Sequence, residues 1–167
     1  MFYRVEALQN NEEDLADLLK MVTEAPSHKI KGISEEVAFT FNRSTDLNLH
    51  VEDAPLQFPE EFLSFIVKEL VENAFKFSAK NCAVKVSGEQ INGKFELNVQ
   101  DKGIGFPIKN LHDISPYQKF QEVYRQGDGL GLGLYDVVQL VEMFNGKIHV
   151  SSEEGMGSSF QIKLPLA

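Results

Sequence analysis

Along the 167-residue chain the apolar positions switch between helical spacing and strict alternation, and the order of these switches sketches the fold. Leu15, Leu18, Leu19 and Val22 share one helical face within residues 1–25, and Pro26 reads as its stop. Residues 30–42 fit two patterns. V-A-F-T-F alternates like a strand, but Glu35 and Glu36 ahead of Val37, Ala38, Phe39 and Phe41 favour a helix. Leu47, Leu49 and Val51 then alternate with polar residues as a strand, and Pro55 and Pro59 lead into the next element. Residues 60–77 form the strongest predicted helix, with Leu63, Ile66, Leu70, Val71, Ala74 and Phe75 on a wide apolar face. Its polar residues are ordered too: Glu69, Asn73 and Lys76 stand at i, i+4 and i+7 and make one stripe beside that face.

Two strands are predicted over 82–90 and 94–101, joined by Asn92-Gly93, residues that accept the positive φ of a tight hairpin. Phe95, Leu97 and Val99 share a face whose next member is Asp101. Burying a carboxylate at the end of an apolar row costs several kcal/mol unless something hydrogen-bonds to it, so Asp101 calls for a partner. Beyond Gly103 and Gly105 the stretch to residue 126 has no clear period, and unstructured segments that long in a compact domain are usually functional or mobile. It ends in G-D-G-L-G-L-G-L (127–134), which matches neither a G-x-G-x-x-G fingerprint nor a P-loop. Leu134, Val137, Val138, Leu140, Val141 and Phe144 give a last helix, capped by Asn145-Gly146. A closing hairpin is predicted from 147–151 and 158–164, with Phe160, Ile162 and Leu164 facing the core and G-M-G at the turn.

Charge and composition narrow the function. Sixteen Lys and Arg against 25 Asp and Glu leave a formal charge of −9, which excludes the broad basic surface of a nucleic-acid binder. An anionic ligand therefore needs a local device such as amide groups, a lysine or a metal ion. The single Cys82 excludes an internal disulfide or a cysteine zinc site, and no apolar run reaches the roughly 20 residues of a membrane span. With no signal-like segment either, the chain is expected to be cytoplasmic, without nucleic-acid or membrane contact.

Four segments follow one another: E-L-V-E-N-A-F-K-F (69–77), D-K-G-I-G (101–105), G-D-G-L-G-L-G-L (127–134) and G-M-G-S-S-F (155–160). Each alone is weak. In this order and at these separations they resemble the N, G1, G2 and G3 boxes of the ATPase superfamily shared by gyrase, Hsp90, MutL and sensor histidine kinases. The closest resemblance is to the catalytic ATP-binding domain of a histidine kinase, whose last strand ends in a Leu-Pro pair, here Leu164-Pro165. The resemblance covers about residues 30–167. It implies a two-layer α/β sandwich of the Bergerat type, a mixed, mainly antiparallel sheet with helices on one face. The expected organisation is a helical appendage over 1–25, which fits the tail of an upstream dimerisation region, and an ATP-binding domain over 26–167.

The resemblance also assigns roles. Asp101 would accept a hydrogen bond from the adenine amino group, with Gly103 and Gly105 letting the chain pass close to the base. Asn73 would contribute a neutral oxygen to Mg2+, Lys76 would meet a phosphate and Phe77 would cover the nucleoside. Gly127, Gly129, Leu130, Gly131 and Leu132 would bring amides and a helix N-terminus to the phosphates, with Arg125 reaching them from the lid. Glu69 stands where some members carry the general base and many histidine kinases carry Asn. It leaves open direct hydrolysis or activation of a partner's histidine. The lid departs from the family: Phe120 and Tyr124 match its aromatic box only loosely, and Glu122 replaces the usual Arg.

The implied activity is donation of the γ-phosphate of Mg-ATP to a histidine on an upstream dimerisation and phosphotransfer domain, serving a response regulator. A nucleotide-binding regulatory module and an ATP hydrolase using Glu69 are the alternatives. His112-Asp113-Ile114-Ser115-Pro116 imitates a phospho-acceptor box but is one residue short before the proline, lacks the basic residue and falls in the lid, so it is read as coincidence.

Overall fold

The computed structural model describes residues 12–106 and 132–167. The candidate residues Arg125, Gly127, Gly129, Leu130 and Gly131 fall outside these, as do Phe120, Glu122, Tyr124 and the 112–116 box. In chain order the elements are α1 (Glu12–Leu18), α2 (Pro26–Thr40), a 3-10 turn (Ser44–Asp46), β1 (Leu47–Val51), α3 (Glu60–Phe77), β2 (Val84–Ile91), β3 (Lys94–Asp101), α4 (Leu132–Met143), β4 (Lys147–Glu153) and β5 (Gly157–Pro165). The strands form one sheet in the order β1-β2-β3-β5-β4, parallel only between β1 and β2.

One sheet face is apolar and carries the helices. Val84 and Val86 of β2, Phe95, Leu97 and Val99 of β3, Ile148 and Val150 of β4 and Phe160, Ile162 and Leu164 of β5 are buried there. Residues of the opposite parity on the same strands, such as Lys85, Gln100 and His149, are exposed, which makes the fold the expected two-layer sandwich. Glu96 lies on that polar face yet is buried, because Gln161 Nε2 donates to it and the Lys163 ammonium pairs with it.

Helix α3 runs through the middle of the helical layer, with Phe62, Leu63, Ile66, Val67, Leu70, Val71, Ala74 and Phe75 buried. Phe144, just past the end of α4, fills the gap between α4, α3 and the segment before α3, its ring 5.1 Å from Phe58 and 5.5 Å from Phe62. Both α2 and α4 end in the same way. At α2, Asn42 adopts φ 54°, and Arg43 N–H and Asn42 N–H donate to the carbonyls of Ala38 and Phe39. At α4, Asn145 adopts φ 59°, and Gly146 and Asn145 donate to Val141 and Glu142. These are Schellman caps with Asn as the left-handed residue.

The N-terminal region departs from the sequence reading. Its helix stops at Leu18, Val22 lies outside it, and Pro26 is the first residue of α2 instead of a terminator, because a first-turn proline loses no helical hydrogen bond. Leu15, Leu18 and Leu19 still pack against the core. Thr23 is buried: its N–H donates to the Leu56 carbonyl and its hydroxyl to that of Phe58.

Because Phe144 joins α3, α4 and the 54–58 segment, Phe144→Ala should destabilise the domain by about 3–5 kcal/mol, the range for a buried Phe. Urea unfolding followed by circular dichroism measures the change.

Candidate functional site

The sheet ends, on its apolar face, in a row of polar residues. Strand register sets Asp101 opposite Ser158, and Ser158 opposite Ser152. The preceding row, Val99, Phe160 and Val150, is apolar, so the polar row closes the core at that end. Asp101 is only 6% exposed, and the Gly103 N–H donates to its Oδ1 at 2.7 Å. Burial raises its carboxyl above the ordinary value, and hydrogen bonds from the Gly103 and Ser158 amides pull it back. The Ser152 hydroxyl accepts from Phe106 N–H at 2.9 Å and lies 3.0 Å from the Ser158 hydroxyl and 3.1 Å from the Gly157 carbonyl.

The Asp101–Gly105 turn is pinned on two sides. Ile104 N–H donates to the Phe77 carbonyl at 3.0 Å, and the Ile104 carbonyl accepts from Gly155 N–H at 2.7 Å. The first bond ties the turn to the end of α3, the second to the β4–β5 turn. Both glycines are explained by these contacts. A Cβ on Gly103 would run into the Phe77 carbonyl, and one on Gly105, at φ 59°, into the Glu153 carbonyl. A side chain at either position is therefore excluded by the protein's own backbone, before any ligand is considered. Gly157, at φ 90°, has the same relation to the Asp101 carbonyl.

Helix α3 delivers the polar stripe. Lys76 is exposed, with its ammonium 5.5 Å from the centre of the half-buried Phe77 ring, and Asn73 is half-buried one turn earlier. Glu69, a turn earlier again, points toward α4: a Cβ on Gly133 would collide with its carboxyl group. Leu132 begins α4. Burial raises the Glu69 carboxyl above the ordinary value, and the charges of Glu72 and the buried Asp136 push the same way, with Lys68 opposing them.

The fold therefore joins Phe77, Asp101, Gly103 and Gly105 around one turn and brings Glu69 to the first turn of α4. Sequence reasoning passed over Ser152 and Arg43, and it included Gly157 and Ser158 only as members of the 155–160 segment, without a role. Ser152 carried a usable signal, since it follows Ile148 and Val150 on the core-facing parity of β4, as Asp101 follows Val99. Arg43 carried none, because its partners lie 32 or more residues away along the chain, apart from Asp46.

Two outcomes follow for Glu69. Its folded form holds a proton more tightly than the unfolded chain, so its contribution is stabilising at low pH and is lost as pH rises from the ordinary value of 4.5 through the folded value. Glu69→Gln should thus be more stable than the wild type near pH 8, with the gap closing below pH about 4.5, in urea titrations across that range. Gly133→Ala should swing the Glu69 carboxyl aside and change stability by less than about 1 kcal/mol in the same titrations, because the group in its way is the free end of a flexible side chain and alanine favours the helix.

Several known proteins share this architecture and part of the sequence. In Escherichia coli K12, the sensor histidine kinase RcsC is 34% identical over 109 residues, 62% of this chain and 11% of RcsC. The signal transduction histidine-protein kinase ArlS of Staphylococcus aureus USA300 is 30% identical over 139 residues, 81% of this chain and 29% of ArlS. The chain thus spans less than a third of either relative. Among solved structures, the mycobacterial sensor histidine kinase MprB superimposes with a TM-score of 0.73 at 25% identity, covering 87% of this chain and 98% of that one. The Acinetobacter baumannii histidine kinase AdeS superimposes with a TM-score of 0.61 at 21% identity, covering 99% of this chain and 81% of that one. Residues 58–167, which hold the whole α3 stripe, the Asp101 turn and the β4–β5 turn, match one family along their full length. The chain belongs to the histidine kinase-, DNA gyrase B- and HSP90-like ATPases.

Proposed function

We propose that this chain is the nucleotide-binding part of a sensor histidine kinase, which holds Mg-ATP and presents its γ-phosphate to a histidine on a dimerisation domain upstream in the same protein. The observation that carries the reading is the buried Asp101 carboxylate, fixed by two amides at the end of an apolar strand face. A carboxylate has about four acceptor sites, so two amides leave room for the amino group of adenine. Lys76 would offset phosphate charge, Phe77 would cover the nucleoside, and the Gly127–Leu132 segment would bring amides and the positive end of α4 to the triphosphate. Arg125 would reach the same phosphates. The phosphate would pass from the acceptor histidine to a response regulator, in the cytoplasm, with no nucleic acid or membrane engaged by this part of the protein.

The residues present fit a magnesium ion that enters with the nucleotide. Among the described residues no group of three or more His, Cys, Asp or Glu could hold a metal ion alone. Asn73 offers one neutral oxygen, which suits Mg2+ shared with phosphate oxygens, and the acidic Glu69, Glu72 and Asp136 on α3 and α4 make the surroundings attractive to a cation. When bound, such an ion supplies charge neutralisation between the phosphates.

A second reading, ATP hydrolysis with Glu69 as general base, draws on its raised proton affinity, since a carboxylate shifted toward neutrality is the better base. Titration with a fluorescent ATP analogue tests the site. Asp101→Asn should weaken binding by about tenfold or more, matching a lost hydrogen bond to a charged acceptor, and unchanged affinity would sink the assignment. Incubating the ATP-loaded chain with a separately made acceptor fragment then separates the readings. Phosphate on the acceptor histidine supports transfer. Release of inorganic phosphate that disappears in Glu69→Gln supports hydrolysis, and binding with neither product supports a regulatory module.

A further inference from the structure

Helix α3 ends at the candidate site, and its last carbonyls need partners that the helix cannot supply. Three of the last four have identifiable ones. Ser78 Oγ donates to Ala74 at 2.6 Å, an Arg43 Nη donates to Phe75 at 2.9 Å and Ile104 N–H donates to Phe77. Arg43 does more than cap one carbonyl. It is 4% exposed, and its two Nη atoms also donate to the carbonyls of Ser78 at 2.8 Å, Ala79 at 2.6 Å and Cys82 at 2.9 Å. Its Nε donates to Asp46 at 2.7 Å, and the guanidinium lies 4.9 Å from the centre of the Phe75 ring. The same Asp46 oxygen also accepts from Asn81 N–H at 3.0 Å.

These contacts fix where α3 stops. The chain leaves the helix at Ser78, in extended geometry, and residues 78–82 wrap around the guanidinium before β2 begins. Phe77 lies between two carbonyls that Arg43 holds, Phe75 and Ser78, and its own carbonyl receives the Ile104 amide of the Asp101–Gly105 turn. A planar fork with five donors can serve several carbonyls at once, which a lysine ammonium cannot match in geometry.

We propose that Arg43 is a positioning residue of the nucleotide site: by holding the end of α3 it sets the Phe77 carbonyl, and through the Ile104 amide it sets the turn that presents Asp101. This rests on the nucleotide reading of the site given above. Arg43 acts through backbone, and it needs no contact with the nucleotide.

The test uses the chain without nucleotide first. In Arg43→Lys, hydrogen exchange at the Ile104 amide should speed up by about tenfold more than at the Leu97 and Val99 amides of the adjoining strand, the scale of one lost bond from a charged donor. Fluorescent ATP-analogue affinity should fall by a similar factor. Asp46→Asn, which keeps the fork and removes only its charged partner, should shift both readings in the same direction by less, and it serves if the lysine variant does not fold. Equal acceleration at Ile104, Leu97 and Val99 means that Arg43 only stabilises the domain, and it overturns the proposal. So does an Arg43→Lys chain that binds the analogue as tightly as a binding-competent wild type, which leaves the nucleotide reading intact. A wild-type chain that takes up no analogue removes that reading, and this proposal with it, whatever the exchange shows.

Discussion

A single hydrogen bond, from the Ile104 amide to the Phe77 carbonyl, joins the central helix of this domain to the turn at the end of its central strand. Much else around the site is arranged so that this bond can form. Helix α3 must stop at Phe77, which the buried Arg43 fork and the Ser78 hydroxyl secure by taking up neighbouring carbonyls. Gly103 must lack a side chain, because any Cβ there would occupy the space of the Phe77 carbonyl itself. On the far side, Gly105 and Gly157 leave room for the Glu153 and Asp101 carbonyls, so the β4–β5 turn closes against the same loop. The polar row of Asp101, Ser158 and Ser152 then has donors within reach while it stays largely out of water.

This arrangement gives the glycines a different meaning from the one their pattern suggests. Gly103 and Gly105 resemble the glycines of a ligand-facing turn, but backbone on backbone already forbids a side chain at both. Gly133, the last of the four alternating glycines, makes room for the Glu69 carboxyl at the start of α4. A carboxyl held there, half out of water and beside two other acids, is a poor structural element. Its cost is consistent with a functional group kept in place by the fold, in line with the tendency of active sites to gather shifted carboxyls.

Much of the fold was legible because the patterns were long and locally consistent. Helix α3 has the bounds that its apolar face predicts, the Asn92-Gly93 hairpin has the two positive φ values expected of it, and β3 ends at the Asp101 that broke its apolar row. The N-terminal helix was legible only in part. Leu15, Leu18 and Leu19 keep the spacing, but Val22 does not belong to it, since a run of four apolar residues cannot by itself mark where a short helix frays. Pro26 was misread for a related reason: proline ends one helix and starts another with equal ease, and only the following segment decides which.

Sequence alone determined the order of elements, the face each strand turns to the core, the family, and two carboxylates, Glu69 in the polar stripe beside the apolar face of α3 and Asp101 at the end of an apolar row. Those features are local, set by side-chain periods of two and 3.6 that hold wherever the chain runs. The tertiary structure decided the rest. Only the register of β3, β5 and β4 aligns Asp101 with Ser158 and Ser152, only the packing of α4 on α3 sets Glu69 against Gly133, and only the approach of residues 75–82 to Arg43 makes that arginine a cap. Each depends on groups distant in sequence meeting out of water, as hydrogen-bond partners or in close packing, a requirement that no local pattern encodes.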